Sequence, residues 1–191
     1  IDEVYNAGIL DVTADAQAAS ASVSVVNTGA AVAADSVWNG GTTATAHARG
    51  IDVGAGGDTV ENDGEANATA TAFAGSVAVA VTSTGFAGAS GTSTGTADAS
   101  AIDASAGIDS DTIINRGVLS ATADADAATA SVTYTNTGAA LALGAVWDGG
   151  TGATARSRGI ETGDGADTVL STGAITSTAD SLAAEAAVGV T

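Results

Sequence analysis

The sequence predicts an all-β chain, a β-solenoid (β-helix) of right-handed coil assembled from a 109-residue tandem repeat. Three observations predict it. Residues 1–82 align with 110–191 at a constant offset of 109 without a gap. Within each unit lies an older half-repeat of about 55 residues, since Asp2, Asp58, Asp111 and Asp167 recur at spacings of 56, 53 and 56. Between these markers, small apolar residues alternate with polar ones at period two, the signature of strands.

The repeat is specific. Asn27-Thr28-Gly29 returns as Asn136-Thr137-Gly138, and Val37-Trp38-Asn39-Gly40-Gly41 returns as Val146-Trp147-Asp148-Gly149-Gly150. The whole of 1–191 reads as one continuous segment, with half-repeats at 2–57, 58–110 and 111–166 and a partial one at 167–191. Each half-repeat is expected to supply two or three coils. The chain begins and ends inside a repeat, as a window on something longer would.

In chain order, Ala14, Ala16 and Ala18 alternate with Asp15 and Gln17. Ala19, Ala21, Val23 and Val25 then alternate with Ser20, Ser22 and Ser24. The Ala18-Ala19 pair shifts the apolar phase, as does Ala127-Ala128, and predicts a bulge or corner at each. Ala and Val are expected to fill the interior. Ala66 to Ala74 repeat the pattern, followed by Val77, Val79 and Val81. Ser181 to Ala187 has good helix propensity but falls, at the repeat offset, on Ala72 to Ala78, and is read as strand. Turns are marked by Asn27-Thr28-Gly29, Thr84-Gly85 and their repeat mates. Pro is absent, which suits strands paired on both edges.

Composition narrows the architecture. With two Trp, two Tyr, two Phe and no Met, a thick globular core is out of reach. Tandem β-sandwiches of 109 residues, the competing arrangement, ordinarily carry larger core side chains. The net charge of −18 opposes nucleic acid and anionic lipid. No apolar run is long enough to span a bilayer. Absence of Cys excludes disulfides and thiol chemistry. His47 is the lone histidine, and its repeat mate is Arg156, which argues against a triad or histidine metal site.

Two motifs resemble known families. Gly163-Asp164-Gly165-Ala166-Asp167-Thr168-Val169-Leu170 and Gly54-Ala55-Gly56-Gly57-Asp58-Thr59-Val60 resemble the calcium-binding nonapeptide of RTX proteins. The resemblance implies Ca²⁺ as a possible ligand of Asp58, Asp164 and Asp167, with Gly54, Gly56, Gly163 and Gly165 shaping the turns. The competing reading makes Asp58 and Asp167 caps of backbone N–H groups in a tight corner. The looser pattern Asp58-Thr59-Val60-Glu61-Asn62-Asp63-Gly64, repeated as Asp111 to Gly117, is similar to β-solenoid repeats of bacterial exoproteins and adhesin stalks. It implies stacked turn positions at Asn62 and Asn115, either as an amide ladder or as plain turn residues.

The function this predicts is structural: a segment of an extracellular or cell-surface filament, stalk or adhesin, without catalysis, self-associating end to end or laterally into fibres. Trp38 and Trp147 are the expected packing or lateral contacts. The alternative is a Ca²⁺-binding or ice-binding module, the latter suggested by Thr43/Thr45, Thr69/Thr71, Thr82/Thr84 and Thr92/Thr94/Thr96. A polysaccharide-cleaving β-helix would need a cleft of non-repeated residues, and the chain repeats where such a cleft should break symmetry.

Overall fold

The computed structural model describes residues 1–34, 41–143 and 150–191. All regular structure among them is strand. The pattern runs short, long, medium: β1 (Glu3–Asn6), β2 (Ile9–Ala34) and β3 (Thr42–Asp52), then β4 (Thr59–Asn62), β5 (Glu65–Ser90) and β6 (Ser93–Ala104). β7 (Thr112–Asn115), β8 (Val118–Leu143) and β9 (Gly152–Thr162) repeat it, and β10 (Thr168–Ser171) and β11 (Ala174–Val190) begin it again.

Like pairs with like, and always in parallel. Sheet A has the order β1-β4-β7-β10, sheet B the order β2-β5-β8-β11, and sheet C the order β3-β6-β9. The arrangement is consistent with a β-helix. The register equals the sequence repeat: Thr13 lies beside Thr69, Thr122 and Thr178. Each half-repeat therefore contributes one strand to each sheet, not the two or three coils expected. The long strands account for the difference, because the alternation runs through 26 residues where shorter rungs were foreseen.

The expected corner at Ala18-Ala19 is also absent. Pairing with β5 runs unbroken from Ile9↔Glu65 through Ala18↔Ala74 and Ala19↔Gly75 to Val26↔Thr82. Side chains keep alternating geometrically, and it is the polarity of each face that swaps. The corner lies further on, at Asn27-Thr28-Gly29, Ser83-Thr84-Gly85 and Asn136-Thr137-Gly138, where the glycines have φ of 117°, 131° and 137°. Beyond it the strand folds back on itself. Ala78 and Ala80 pack against Ala87 and Ala89, with Ala31 and Ala33 alongside.

The body of the molecule is held by sheets B and C. Ala66 to Ala74 and Ala121 to Ala125 on alternate positions face Ala44, Ala46, Ala48, Ala97 and Ala99, with Val60, Ile102, Ile113 and Leu119 closing the layer. Between sheets B and C the interior is thin because it is filled mostly by alanine methyls. A Cβ added at Gly95 on β6 would lie 2.6 Å from the Asp126 carbonyl oxygen on β8, so the two backbones nearly touch. Hydrophobic gain per residue is small, about 0.8 kcal/mol per buried carbon. Main-chain pairing in the three ladders carries much of the order.

The folded-back arm is inside-out relative to expectation. Val23 and Val25 are each 70% exposed, while Ser76, Thr82, Ser131, Thr133 and Thr135 are buried. The space between the two layers of the arm is lined mostly by Ala, Ser and Thr, with Val26 packed against it, while Val23 and Val25 lie on the opposite face of their strand and point outward. Ser181 to Ala187 is strand, paired with Ala125 to Ser131, as its repeat position requires.

Candidate functional site

The corner between sheets C and A gathers most of the residues singled out by sequence. Two files of side chains run across the half-repeats, one at this corner and one at the far end of sheet A, where it turns into sheet B. The first is aspartate. The backbone N–H of Asp2 donates to Asp58 Oδ1 (2.7 Å), that of Asp58 to Asp111 Oδ1 (2.8 Å), and that of Asp111 to Asp167 Oδ1 (2.9 Å). Each carboxylate thus caps the strand start of the preceding half-repeat, as the capping reading foresaw. Asp58 is 2% exposed, and its Oδ2 is buried with no partner.

The second file is amide. Asn6 Nδ2 donates to Asn62 Oδ1 at 2.7 Å, Asn62 Nδ2 to Asn115 Oδ1 at 2.8 Å, and Asn115 Nδ2 to Ser171 Oγ at 3.0 Å. Asn62 and Asn115 are completely buried. An amide suits the position because it has a donor and an acceptor on opposite sides and can pass the pattern on without a charge. Hydroxyl replacement at Ser171 keeps an acceptor for the last donor.

Glycines shape this corner. Gly54, Gly56 and Gly165 have φ of 73°, 134° and 149°. Gly163 instead lacks room, since a Cβ there would meet the Ser105 carbonyl oxygen at 2.8 Å. Asp164 is exposed in the turn before β10, and Asp167 is half-buried. Among the described residues, no group of three or more Asp, Glu or His side chains is placed to hold a metal ion. The fit to Ca²⁺, which takes six to eight oxygens, therefore rests on one buried, unpartnered carboxylate oxygen at Asp58. Trp38 and Trp147 lie outside the described residues.

Sequence reasoning missed a hydroxyl seam where sheet C begins. Ser20 Oγ and Thr42 Oγ1 are 2.6 Å apart, Ser93 Oγ donates to Ser76 Oγ (3.2 Å), and Thr151 Oγ1 to Thr129 Oγ1 (2.7 Å). The same tie recurs in each half-repeat between residues 17 to 22 apart. Only Ser20, Ser76 and Thr129 sharing one register position hinted at it.

Charged side chains work as ties between neighbouring strands. Arg116 Nη1 donates to Asp63 Oδ1 at 2.9 Å and lies 3.5 Å from Glu61. Arg158 Nη1 donates to Asp98 Oδ1 at 2.8 Å and lies 3.1 Å from Glu161. Arg49 pairs with Asp103. Partial burial pushes the Asp103 carboxyl up, but hydrogen bonds from Ser105 and Arg49 outweigh it and hold the group below the usual range. The Arg116 guanidinium does the same for Asp63. The dimple among His47, Arg49, Asp98, Ser100, Asp103 and Glu161 has a volume of about 10 Å³, room for one water molecule and no substrate.

One column is strained by like charge. Asp15, Thr71, Asp124 and Asp180 lie side by side on the outward face of sheet B, and Asp126 is two residues along. Partial desolvation, then Asp126 and Asp180, push the Asp124 carboxyl above its ordinary range. A carboxyl raised in the folded state destabilises that state once it ionises, so stability falls as pH rises from the ordinary carboxylate pKa through the raised one. Asp124→Asn is expected to stabilise the fold at neutral pH by about 0.5 kcal/mol, reduced by solvent and salt screening. The gain should vanish below about pH 4, where the carboxyls are protonated. Urea denaturation at both pH values checks this.

Comparisons with known proteins give no matching family model, no matching curated protein and no matching solved structure.

Proposed function

We propose that this chain is a structural repeat segment of a long extracellular or cell-surface filament, stalk or adhesin, without catalytic activity, its strands winding as a right-handed β-solenoid. The observation that carries the reading is the register. Residue for residue, each half-repeat lies beside the next, the aspartate file continues through every half-repeat, and the asparagine file runs through three and ends on Ser171 in the fourth. Such an array lengthens by adding copies, each contacting only its neighbours. Supporting it, the cluster around His47 among the described residues has its carboxylates engaged by Arg49 and Arg158 and no room for a substrate.

Arrays of two, four and six copies of the 109-residue repeat, imaged by electron microscopy, test it. Two half-repeats per copy at a strand spacing of about 4.8 Å give a rise of about 9.6 Å per copy. A rise several times larger, from copies strung as separate globules, would refute the reading.

A second reading has one observation in its favour, the buried, unpartnered Asp58 Oδ2: a Ca²⁺ ion bound at the Gly54–Asp58 turn. It expects a melting temperature that rises with added Ca²⁺, returns with EDTA, and stops responding in Asp58→Asn. A thermal transition indifferent to EDTA would remove it.

A further inference from the structure

The outward face of sheet B changes chemistry part-way along its strands. Towards the N-terminal ends it is polar and acidic, carrying Asp11, Asp15, Asp124, Asp126 and Asp180. Past the row Ala19–Gly75–Ala128–Ala184, every outward position is apolar until the corner at Gly29, Gly85 and Gly138. The rows are Ala21–Val77–Ala130–Ala186, then Val23–Val79–Val132–Val188, then Val25–Val81–Tyr134–Val190. No charge interrupts them. Val23, Val25, Val77, Val132, Tyr134, Val188 and Val190 are all open to solvent, by 36% to 70%.

This face is broad and has relief. Four strands at about 4.8 Å and seven residues from the Gly75 row to the Val81 row at about 3.3 Å give roughly 440 Å². Two such faces together would remove about 880 Å², the size of a weak, transient contact rather than a permanent one. The row of Ala19, Gly75, Ala128 and Ala184 forms a furrow of about 450 Å³, bordered by Phe73 on one side and Val77 on the other. A furrow beside a ridge of branched and aromatic side chains complements a copy of itself. The valine rows themselves carry no charge, so on a chain of −18 they are where a second copy meets least repulsion, with Asp126 and Glu185 at the border of the furrow. Anionic lipid is disfavoured on the same ground.

We propose that the valine face of sheet B docks a second copy of this chain, face to face through the same rows. The contact uses outward side chains and not strand edges, so it stands or falls separately from the end-to-end stacking of the filament reading.

The test is sedimentation velocity on the 191-residue chain over about 1 to 100 µM, the range in which an interface of this size associates. Wild type should sediment as a concentration-dependent dimer. Val23→Asp/Val188→Asp, at two well-exposed positions on the outer strands, should weaken dimerisation by at least about 100-fold by burying unpaired charge. Val23→Ser/Val188→Ser, which adds no charge, should weaken it by about 10-fold. Thr13→Asp, on the acidic half of the same sheet, should leave it unchanged. Far-UV circular dichroism and thermal melting should show all variants folded. A wild type that stays monomeric throughout overturns the proposal. So does a dimer indifferent to both double variants, which would place the contact at strand edges. Flotation of monomeric protein with phosphatidylcholine vesicles, lost in Val23→Asp/Val188→Asp, would assign the face to lipid and overturn it equally.

Discussion

Asn62→Asp should lower stability by about 3–5 kcal/mol, the largest loss expected from a single isosteric change in this chain. The carboxylate still accepts from Asn6 Nδ2. It cannot donate to Asn115 Oδ1, which lies 2.8 Å from the present donor, so two acceptor oxygens confront each other at a site closed to water. The substitution also buries a charge with no cation near it. Asn6→Asp at the outer end of the same file is the control. Asn6 is 7% exposed rather than fully enclosed and has an asparagine neighbour on one side only, so its loss should be about half as large. Urea denaturation of both variants decides the matter. A loss below about 1 kcal/mol at Asn62 would mean that the amide file contributes little beyond filling space.

Gly138→Ala should cost about 3 kcal/mol or more, and Gly29→Ala only about 1. The two glycines are repeat mates with similar φ, 137° and 117°, so the backbone strain of adding a Cβ is nearly the same at both. Their surroundings differ. A Cβ at Gly138 would run into the Gly85 carbonyl oxygen on the strand beside it, whereas a Cβ at Gly29 meets nothing within 4 Å. The difference between the two variants therefore measures how closely one half-repeat sits on the next, free of the intrinsic cost of the substitution. Thermal denaturation of the pair suffices. Equal shifts in melting temperature would show that the corner relaxes and that the close approach of Gly85 and Gly138 contributes nothing.

Much of the fold was legible because the register is written in the sequence. The spacings between Asp2, Asp58, Asp111 and Asp167 are the pairing offsets of sheet A, and the alternation named the strands. The all-strand character followed even at Ser181 to Ala187, where local propensity pointed elsewhere. The capping role of Asp58 and the amide file at Asn62 and Asn115 were among the readings that the residue types allowed, and geometry chose between them. What alternation could not give is which face is inside. Val23, Val25, Val79 and Val81 look like core by hydrophobicity, yet the arm interior takes mostly methyls and hydroxyls, a matter of layer thickness that no single strand reveals. The hydroxyl seam was hidden for a related reason. It joins residues of two sheets, and which sheet covers Ser76 cannot be read before the corner at Gly85 is placed.

The connection lengths carry a further consequence. Between the long and medium strands the chain crosses in two residues after β5, but in seven after β2 and eight after β8. Long and short crossings thus alternate from layer to layer. A gene that grows or shrinks by whole 109-codon blocks through unequal recombination preserves that alternation. Excision of one layer alone would break it. Variation in length among such chains should be quantised in pairs of layers.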